Sequence, residues 1–296
     1  MLFTVRTPLV RLGNLFPDGR VYAKCEFLAP SGSFKIRGAG HLLEHLTREG
    51  GTRQLVVPSM GNTALGAALG AKLLGFSMVG VVPTSISRAK DERLQALGVE
   101  LVKVDGGGTD LLNRARQLAT ERNGYFVHPH LDTNWTDGYQ VIAKQILEAL
   151  ADCRSLIFPV GGGGLLMGLT EYCLQHRTKV ELVGVEAFNY PTYARFEHPR
   201  TKTIADGLVL EVPHPKVQER IKAMGIGIHL VKDDDIRTAM RELFMTQGLM
   251  VEPSSAITAA FVKAHLRDLQ EPICIIPTGD NITREDFYRL IDEPAA

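Results

Sequence analysis

The chain has 296 residues, of which 45% are hydrophobic, 7% aromatic and 22% charged, with 33 basic residues against 33 acidic ones. A high hydrophobic fraction with zero formal net charge excludes a disordered chain, and the balance of charge argues against a nucleic-acid partner. At about 150 residues per domain, the length predicts two domains.

Membrane and secretory signals are not evident in the sequence. No stretch approaches the roughly 18 unbroken apolar residues of a membrane span, and the first 12 residues have no sustained apolar run. Four cysteines form no CxxC pair and lie in apolar stretches, which is typical of buried free thiols. We therefore expect a cytoplasmic protein that acts on a small molecule, without a membrane partner. The cysteines are Cys25, Cys153, Cys173 and Cys274.

Valine-rich apolar runs alternate with helical patterns along most of the chain. Strands that are apolar on both faces and joined by helices imply parallel sheets covered on both sides, so we predict an α/β fold. The predicted strands are 21–27, 54–58, 78–83, 99–104, 125–128, 156–160, 181–186 and 273–277. The predicted helices are 62–74, 89–97, 110–122, 138–150 and 165–176.

Two groups of polar residues resemble metal sites but are better explained by local structure. The acidic run Asp233, Asp234 and Asp235 precedes a helical pattern, and we interpret it as a helix cap because acidic side chains complement the helix dipole. His128 and His130 have no third placed ligand, so a loop or cap is the better interpretation. We predict no metal site.

A run of four glycines follows the predicted strand 156–160 and opens the predicted helix 165–176. Residues without Cβ let backbone N–H groups converge on an anion, and a helix N-terminus adds a favourable dipole. The run is neither the GxGxxG dinucleotide pattern nor a P-loop. It predicts a phosphate site, with a tight turn as the alternative. The residues concerned are Gly161, Gly162, Gly163, Gly164 and Leu165.

Lys35 follows the predicted strand 21–27 and is flanked by small residues, in the sequence Pro-Ser-Gly-Ser-Phe-Lys-Ile-Arg-Gly-Ala. An exposed side chain at a helix start is the default interpretation of a lone lysine. A lysine that loses its proton through burial can instead form a Schiff base with an aldehyde cofactor. Pyridoxal phosphate carries both an aldehyde and a phosphate, so one cofactor would account for Lys35 and the glycine run together.

Two further polar loops follow predicted strands. The segment 59–63, Ser-Met-Gly-Asn-Thr, offers N–H and hydroxyl groups that can hold a carboxylate, with an ordinary helix cap as the alternative. The segment 278–281, Thr-Gly-Asp-Asn, ends the last strand, where open α/β sheets bind ligands, although a plain turn fits equally well.

Together these segments resemble the fold-type II pyridoxal-phosphate-dependent enzymes of the tryptophan synthase beta family, most closely the serine/threonine dehydratases. The resemblance covers nearly the whole chain, and its most specific elements are Ser-Phe-Lys-Ile-Arg-Gly and the four glycines. It is carried by the segments 7–9, 30–38, 59–62, 160–165, 184–186, 203–207, 251–253 and 278–281.

The resemblance implies a role for each matched residue. Lys35 is expected to bond the cofactor aldehyde and to move the α-proton, with Phe34 against the cofactor ring and Asn62 on its phenolic oxygen. The glycine run is expected to bind the phosphate through backbone N–H groups. Thr278 is expected to face the pyridine nitrogen. The residues expected on the substrate carboxylate are Ser59, Gly61 and Thr63.

These roles imply a β-elimination that converts L-serine or L-threonine into a 2-oxo acid and ammonia. A neutral hydroxyl at Thr278, in place of a carboxylate, leaves the ring less electron-withdrawing, which favours elimination or β-replacement over transamination. β-Replacement of the cysteine synthase kind is the alternative, kept open by Thr63 and by the pair Ser254 and Ser255. Less favoured are a threonine synthase and a cofactor-binding protein without efficient turnover.

Two positions depart from the family pattern. Met60 stands where related serine racemases carry a proton-donating serine, and a thioether cannot exchange a proton, which disfavours racemisation. At the family's cation site, Glu186 is followed by Thr192 six positions later, which leaves room for a monovalent ion but not readily for a divalent one.

The resemblance also implies two domains and a homodimer, although the sequence itself shows no interface. The larger domain is expected to contain residues 1–36 and 135–296 and to bind the cofactor. The smaller, mobile domain, residues 37–134, is expected to bind the substrate and to exclude water when it closes.

Overall fold

The computed structural model describes residues 4–59, 61–195, 197 and 199–292. The chain divides into two units, one with residues 4–5 and Ser33–Tyr139 and the other with Arg6–Gly32 and residues 140–292. The sequence-based prediction put these divisions after residues 36 and 134. None of the helices in the described parts of the chain is both long and apolar enough to cross a bilayer.

Ten strands and eleven α-helices are found among the described residues. The strands are β1 (Leu9–Arg11), β2 (Val21–Lys24), β3 (Gln54–Pro58), β4 (Ser77–Pro83), β5 (Glu100–Val104), β6 (Tyr125–Phe126), β7 (Ser155–Pro159), β8 (Glu181–Ala187), β9 (Gly227–Val231) and β10 (Ile273–Ile275). The helices are α1 (Lys35–Arg48), α2 (Asn62–Leu74), α3 (Arg88–Ala96), α4 (Gly108–Glu121), α5 (Thr133–Thr136), α6 (Gln140–Ala149), α7 (Gly164–His176), α8 (Pro215–Met224), α9 (Asp233–Gln247), α10 (Pro253–His265) and α11 (Arg284–Asp292).

The unit containing Ser33–Tyr139 is built on a four-stranded parallel sheet. Its strand order is β5-β4-β3-β6. Val56, Val79 and Val81 on the central strands pack against Ala115 and Leu118 of α4. β-Branched valines suit the strands, and the apolar face of α4 covers them.

The other unit is built on a six-stranded sheet in the order β1-β2-β10-β7-β8-β9. β1 runs antiparallel to β2, and the other neighbouring pairs are parallel. Its core joins sheet residues such as Ile157, Val185 and Ile275 to Ile257 and Phe261 of α10. These sheets confirm the predicted α/β architecture.

Several predicted element ends are wrong, for local reasons. The strand predicted over 21–27 ends at Lys24, because the chain turns into the 3-10 helix Glu26–Leu28. The helix predicted to begin at residue 138 begins as a 3-10 turn and becomes α-helical at Gln140. The strands predicted over 125–128 and 273–277 end early, at Phe126 and Ile275.

The acidic run lies in the first turn of α9, as the dipole argument requires, but the residue at the cap position is Lys232. The carboxylate of Asp233 accepts hydrogen bonds from the Thr203 hydroxyl (2.7 Å) and the Ile204 N–H (3.0 Å). The first aspartate of the run therefore fastens a neighbouring loop.

All four cysteines are free and buried, as predicted. Burial raises the pKa of Cys25 and of Cys153 to about 12. Since the thiolate is the reactive form, these two thiols are poor nucleophiles at neutral pH.

Candidate active site

Lys35 is the first residue of α1 and its side chain is partly buried. Its Nζ lies 4.7 Å from the ring centroid of Phe34 and 5.9 Å from that of Tyr139. The two rings are tilted against each other with their centroids 4.7 Å apart. The amine therefore has an aromatic surface beside it, which suits a planar ligand bonded to Nζ.

Close backbone packing fixes the start of α1. A Cβ on Gly66 of α2 would lie 2.9 Å from the carbonyl carbon of Lys35, and one on Gly138 would lie 2.4 Å from the carbonyl oxygen of Arg37. Contacts this short leave no room for a side chain. The glycines thus let α2 and the turn at Gly138 hold the backbone that carries Lys35.

The loop 59–63 joins β3 to the N-terminus of α2. The N–H of Gly61 donates to Ser59 Oγ at 3.2 Å, and Thr63 is buried in the first turn of the helix. The opening N–H groups of an α-helix have no intrahelical partner and attract anions. Asn62 begins this helix, and Met60 lies outside the described residues. Thr63 and Lys35 therefore lie on α2 and α1, two helices in mutual contact, and Ser59 and Gly61 lie just before α2.

The glycine run lies in the other unit, between β7 and α7. Gly163 has φ +85°, and a Cβ there would lie 2.5 Å from Val217 Cγ1. A Cβ on Gly161 would lie 3.0 Å from Leu208 Cα. Leu165 is buried behind the loop. A turn closed to side chains, at the N-terminus of a 13-residue helix, fits the phosphate of the expected cofactor.

Replacing Gly163 by alanine is expected to weaken pyridoxal phosphate binding at least about tenfold, because the new methyl group must displace Val217 and distort the loop. Gly225→Ala is the matched control, since Gly225 also has a left-handed φ (+62°) but nothing lies within 4 Å of its Cβ position. Equilibrium dialysis measures both dissociation constants. Equal cofactor affinities of the two variants would contradict this assignment of the loop.

Thr278 follows β10 and is held by Ser255, which the sequence analysis named only as bearing on β-replacement. Its N–H donates to Ser255 Oγ at 2.9 Å, and the N–H of Gly279 donates to the same atom at 2.7 Å. Farther along the loop, Asn281 Nδ2 donates to the carbonyl oxygen of Ser31 at 3.2 Å. The loop carrying Thr278 is therefore fastened at both ends within its own unit.

Tyr139 is a second contributor that sequence reasoning missed. Its ring is fully buried, and its hydroxyl accepts a hydrogen bond from Trp135 Nε1. Burial raises the pKa of Tyr139, so the phenol stays neutral. The residue falls in an apolar helical pattern, where an aromatic side chain is indistinguishable from an ordinary core residue.

Glu186, where the resemblance predicts the family's cation site, has its carboxylate bound by backbone N–H groups. Those of Thr192, Tyr193 and Ala194 lie at 3.0, 2.9 and 3.1 Å. Burial raises the pKa of Glu186, and these donors oppose the rise. Within the described ranges, no group of three or more His, Cys, Asp or Glu side chains could hold a metal ion. A monovalent cation here remains a prediction.

His128 takes part in a turn. Its Nδ1 accepts hydrogen bonds from the backbone N–H groups of His130 (3.3 Å) and Leu131 (3.2 Å). These bonds support the interpretation of this segment as a loop.

Comparison with known proteins identifies the family to which the chain belongs. Residues 1–279 match the family described as "Pyridoxal-phosphate dependent enzyme". The L-threonine dehydratase catabolic TdcB of Staphylococcus aureus (strain N315) is 31% identical over 270 residues, which are 88% of this chain and 78% of that protein.

Two solved structures extend the match. The T.th. threonine deaminase has a TM-score of 0.85 at 28% identity, covering 94% of each chain. The fungal L-serine ammonia-lyase from Rhizomucor miehei has a TM-score of 0.84 at 25% identity, covering 97% of each chain. Both share the α/β fold described above. The chain thus belongs to the pyridoxal-phosphate-dependent enzymes, and its cofactor is pyridoxal phosphate.

Proposed function

We propose that the chain is an L-serine/L-threonine ammonia-lyase, which eliminates water from the amino acid and yields a 2-oxo acid and ammonia. The similarity to a threonine dehydratase, a threonine deaminase and a serine ammonia-lyase supports this assignment. The observation that carries it is the buried neutral hydroxyl of Thr278, where the family resemblance expects the partner of the pyridine nitrogen; the backbone N–H of Thr278 donates to Ser255 Oγ. A neutral partner favours elimination or β-replacement over transamination, and the similarity to the dehydratases and the ammonia-lyase supports elimination.

Bound pyridoxal phosphate supplies an aldehyde that bonds amino groups and a ring that withdraws electrons from the substrate Cα. Lys35 holds the cofactor between turnovers, and its Nζ then accepts the proton from Cα. The N–H groups of Gly161–Leu165 orient the phosphate, and Asn62 binds the phenolic oxygen. The residues that bind the substrate carboxylate are Ser59, Gly61 and Thr63.

The elimination balances without a further reactant. The Cα–H and Cβ–O bonds break, a Cα–Cβ double bond forms, and the hydroxyl takes up a proton and leaves as water. The released unsaturated amine then hydrolyses to the 2-oxo acid and ammonia. The role of this chain is to orient the groups and to place the proton.

The organisation of the protein around this reaction is also part of the proposal. We assign substrate binding to residues 37–134 and cofactor binding to the remainder, apart from the contact of Asn62 with the phenolic oxygen. A homodimer follows from the resemblance to the family, and a cytoplasmic location is supported by four buried free thiols, which suit a reducing compartment. Sedimentation of the purified protein measures the oligomeric state.

The test of the function is a single-cuvette assay of the cofactor-loaded protein with L-serine or L-threonine. We expect the absorbance of the bound cofactor to change on mixing while 2-oxo acid accumulates. A stable spectral change without 2-oxo acid, followed by turnover when a thiol is added, would indicate β-replacement. Spectral change without turnover on any amino acid would indicate a binding protein.

A further inference from the structure

The hydroxyl of Ser255 forms hydrogen bonds with several backbone groups of the loop after β10. Its Oγ accepts the N–H groups of Thr278 and Gly279 and donates to the carbonyl oxygen of Gly279 at 2.8 Å. Thr278 Oγ1 lies 3.3 Å away. Ser255 is fully buried in the first turn of α10. This side chain therefore sets the conformation of the loop that carries Thr278.

The hydrogen bonds of Ser255 determine whether its Oγ can accept a hydrogen bond from the Thr278 hydroxyl. A serine hydroxyl has one proton and two lone pairs. The two N–H groups occupy the lone pairs, and the proton goes to the Gly279 carbonyl at 2.8 Å, a better hydrogen bond than the 3.3 Å contact to Thr278 Oγ1. Ser255 thus has no lone pair left for the Thr278 proton, which can be donated to another acceptor.

We propose that Ser255 is a positioning residue that makes Thr278 a hydrogen-bond donor to the pyridine nitrogen of the bound cofactor. The proposal rests on the proposed function, which makes Thr278 the partner of that nitrogen. The pyridine nitrogen can accept a hydrogen bond only when it is unprotonated. By making Thr278 a donor, Ser255 therefore favours the unprotonated form of this nitrogen. The residue acts on the cofactor without contact with the reacting atoms.

Thr258 provides the matched control for Ser255. It is also fully buried on α10, and its hydroxyl donates to the carbonyl oxygen of Ser255 at 2.8 Å. The variant Thr258→Val loses a hydrogen bond on the same helix but leaves the hydroxyl of Ser255 intact. It therefore reports what general weakening of α10 does to the site.

The first measurement needs no cofactor. In the cofactor-free protein, Ser255→Ala removes the acceptor of two buried N–H groups, so hydrogen–deuterium exchange of Thr278 and Gly279 should accelerate at least about tenfold. Thr258→Val should leave this exchange unchanged. Equal acceleration in both variants, or none in Ser255→Ala, would overturn the positioning role.

The second measurement is a double-mutant cycle with Thr278→Ala, read from the absorbance spectrum of the bound cofactor and its pH dependence. Ser255→Ala should shift the spectrum, lower kcat about tenfold and change KM little, and it should add nothing further in the Thr278→Ala background. Independent, additive shifts would overturn the proposal.

Two outcomes separate this proposal from the proposed function. Faster exchange with an unchanged cofactor spectrum in Ser255→Ala would defeat the proposal alone, whereas a wild-type protein without 2-oxo acid production would defeat the proposed function.

If Ser255→Ala fails to fold, Ser255→Cys replaces it. The weaker thiol should give a smaller shift in the same direction, and no shift in a folded Ser255→Cys protein would count against the proposal.

Discussion

Replacing Lys35 by alanine is expected to lower kcat for L-serine and L-threonine by at least about 1000-fold, because the substitution removes the group that takes the Cα proton. Folding should be preserved, since alanine is a strong helix former and Lys35 is the first residue of α1. Borohydride reduction followed by peptide mass spectrometry measures covalent attachment directly. We expect the wild-type adduct on Lys35 and no adduct in the variant.

The matched control is Lys72→Ala, which removes an exposed lysine from α2 in the same unit. This variant should keep the wild-type kcat and the adduct on Lys35. Activity of Lys35→Ala within about tenfold of wild type, or an adduct mapped to another lysine, would refute the assigned mechanism. Partial recovery of Lys35→Ala by an added small amine would locate the loss in the missing amino group.

The sequence predicts the first and last residues correctly for elements that have strong local signals. The strand over 54–58 and the helix over 62–74 have the predicted bounds. A valine pair bounded by Pro58 marks the strand, and the alanine- and leucine-rich pattern after Gly61 marks the helix. The glycine run lies where it was expected, between a buried strand and a helix, because its conformational preference is local.

Elements that depend on the rest of the fold were missed. β1 has only three residues and exists through its antiparallel pairing with β2. Among the described strands β9 pairs only with β8, at the edge of the sheet, and its partly exposed sequence Gly-Ile-His-Leu-Val has no continuous apolar run. Both strands are specified by their neighbours, which a period search along the chain does not detect.

The candidate site shows the same division. Motifs identified Lys35 and the glycine run, because each of them is marked by residues that are adjacent in the sequence. Ser255 and Thr278 are 23 positions apart and meet only when α10 packs beside β10. Tyr139 meets Phe34 and Lys35 across a still longer gap in the chain. Single-sequence reasoning therefore found the groups that react and missed the groups that hold them in place.

A buried ion pair in the unit with the six-stranded sheet carries the largest expected effect on stability. Lys24 Nζ donates to the Thr7 carbonyl oxygen and to Gln145 Oε1, both at 2.7 Å, and lies 3.9 Å from Glu26 Oε1. The exposed fractions of the Lys24 and Glu26 side chains are 3% and 0%. The Thr7 hydroxyl also donates to Glu26 Oε1 at 2.6 Å. Removing one charge of a buried pair leaves the other charge without its counter-ion, which destabilises the fold strongly.

Lys24→Met is therefore expected to lower the free energy of unfolding by about 3–5 kcal/mol, because it leaves the Glu26 carboxylate buried beside an apolar side chain. For a chain of this size, the loss corresponds to a fall in Tm of about 10 °C. Calorimetry of the cofactor-free protein measures the change without any contribution from ligand binding. Arg20→Met is the control, because Arg20 forms its ion pair with Asp152 at the surface, where solvent screens it, and Tm should barely move.

The double variant Lys24→Met/Glu26→Gln distinguishes a charge effect from a packing effect. Removing both charges leaves no buried carboxylate beside the apolar methionine side chain, so the double variant should recover part of the stability lost in Lys24→Met. If the loss instead came from poor packing of the methionine side chain, the second substitution would destabilise the protein further. If Lys24→Met lowered Tm no more than Arg20→Met does, the buried cluster would contribute no more to stability than a surface ion pair.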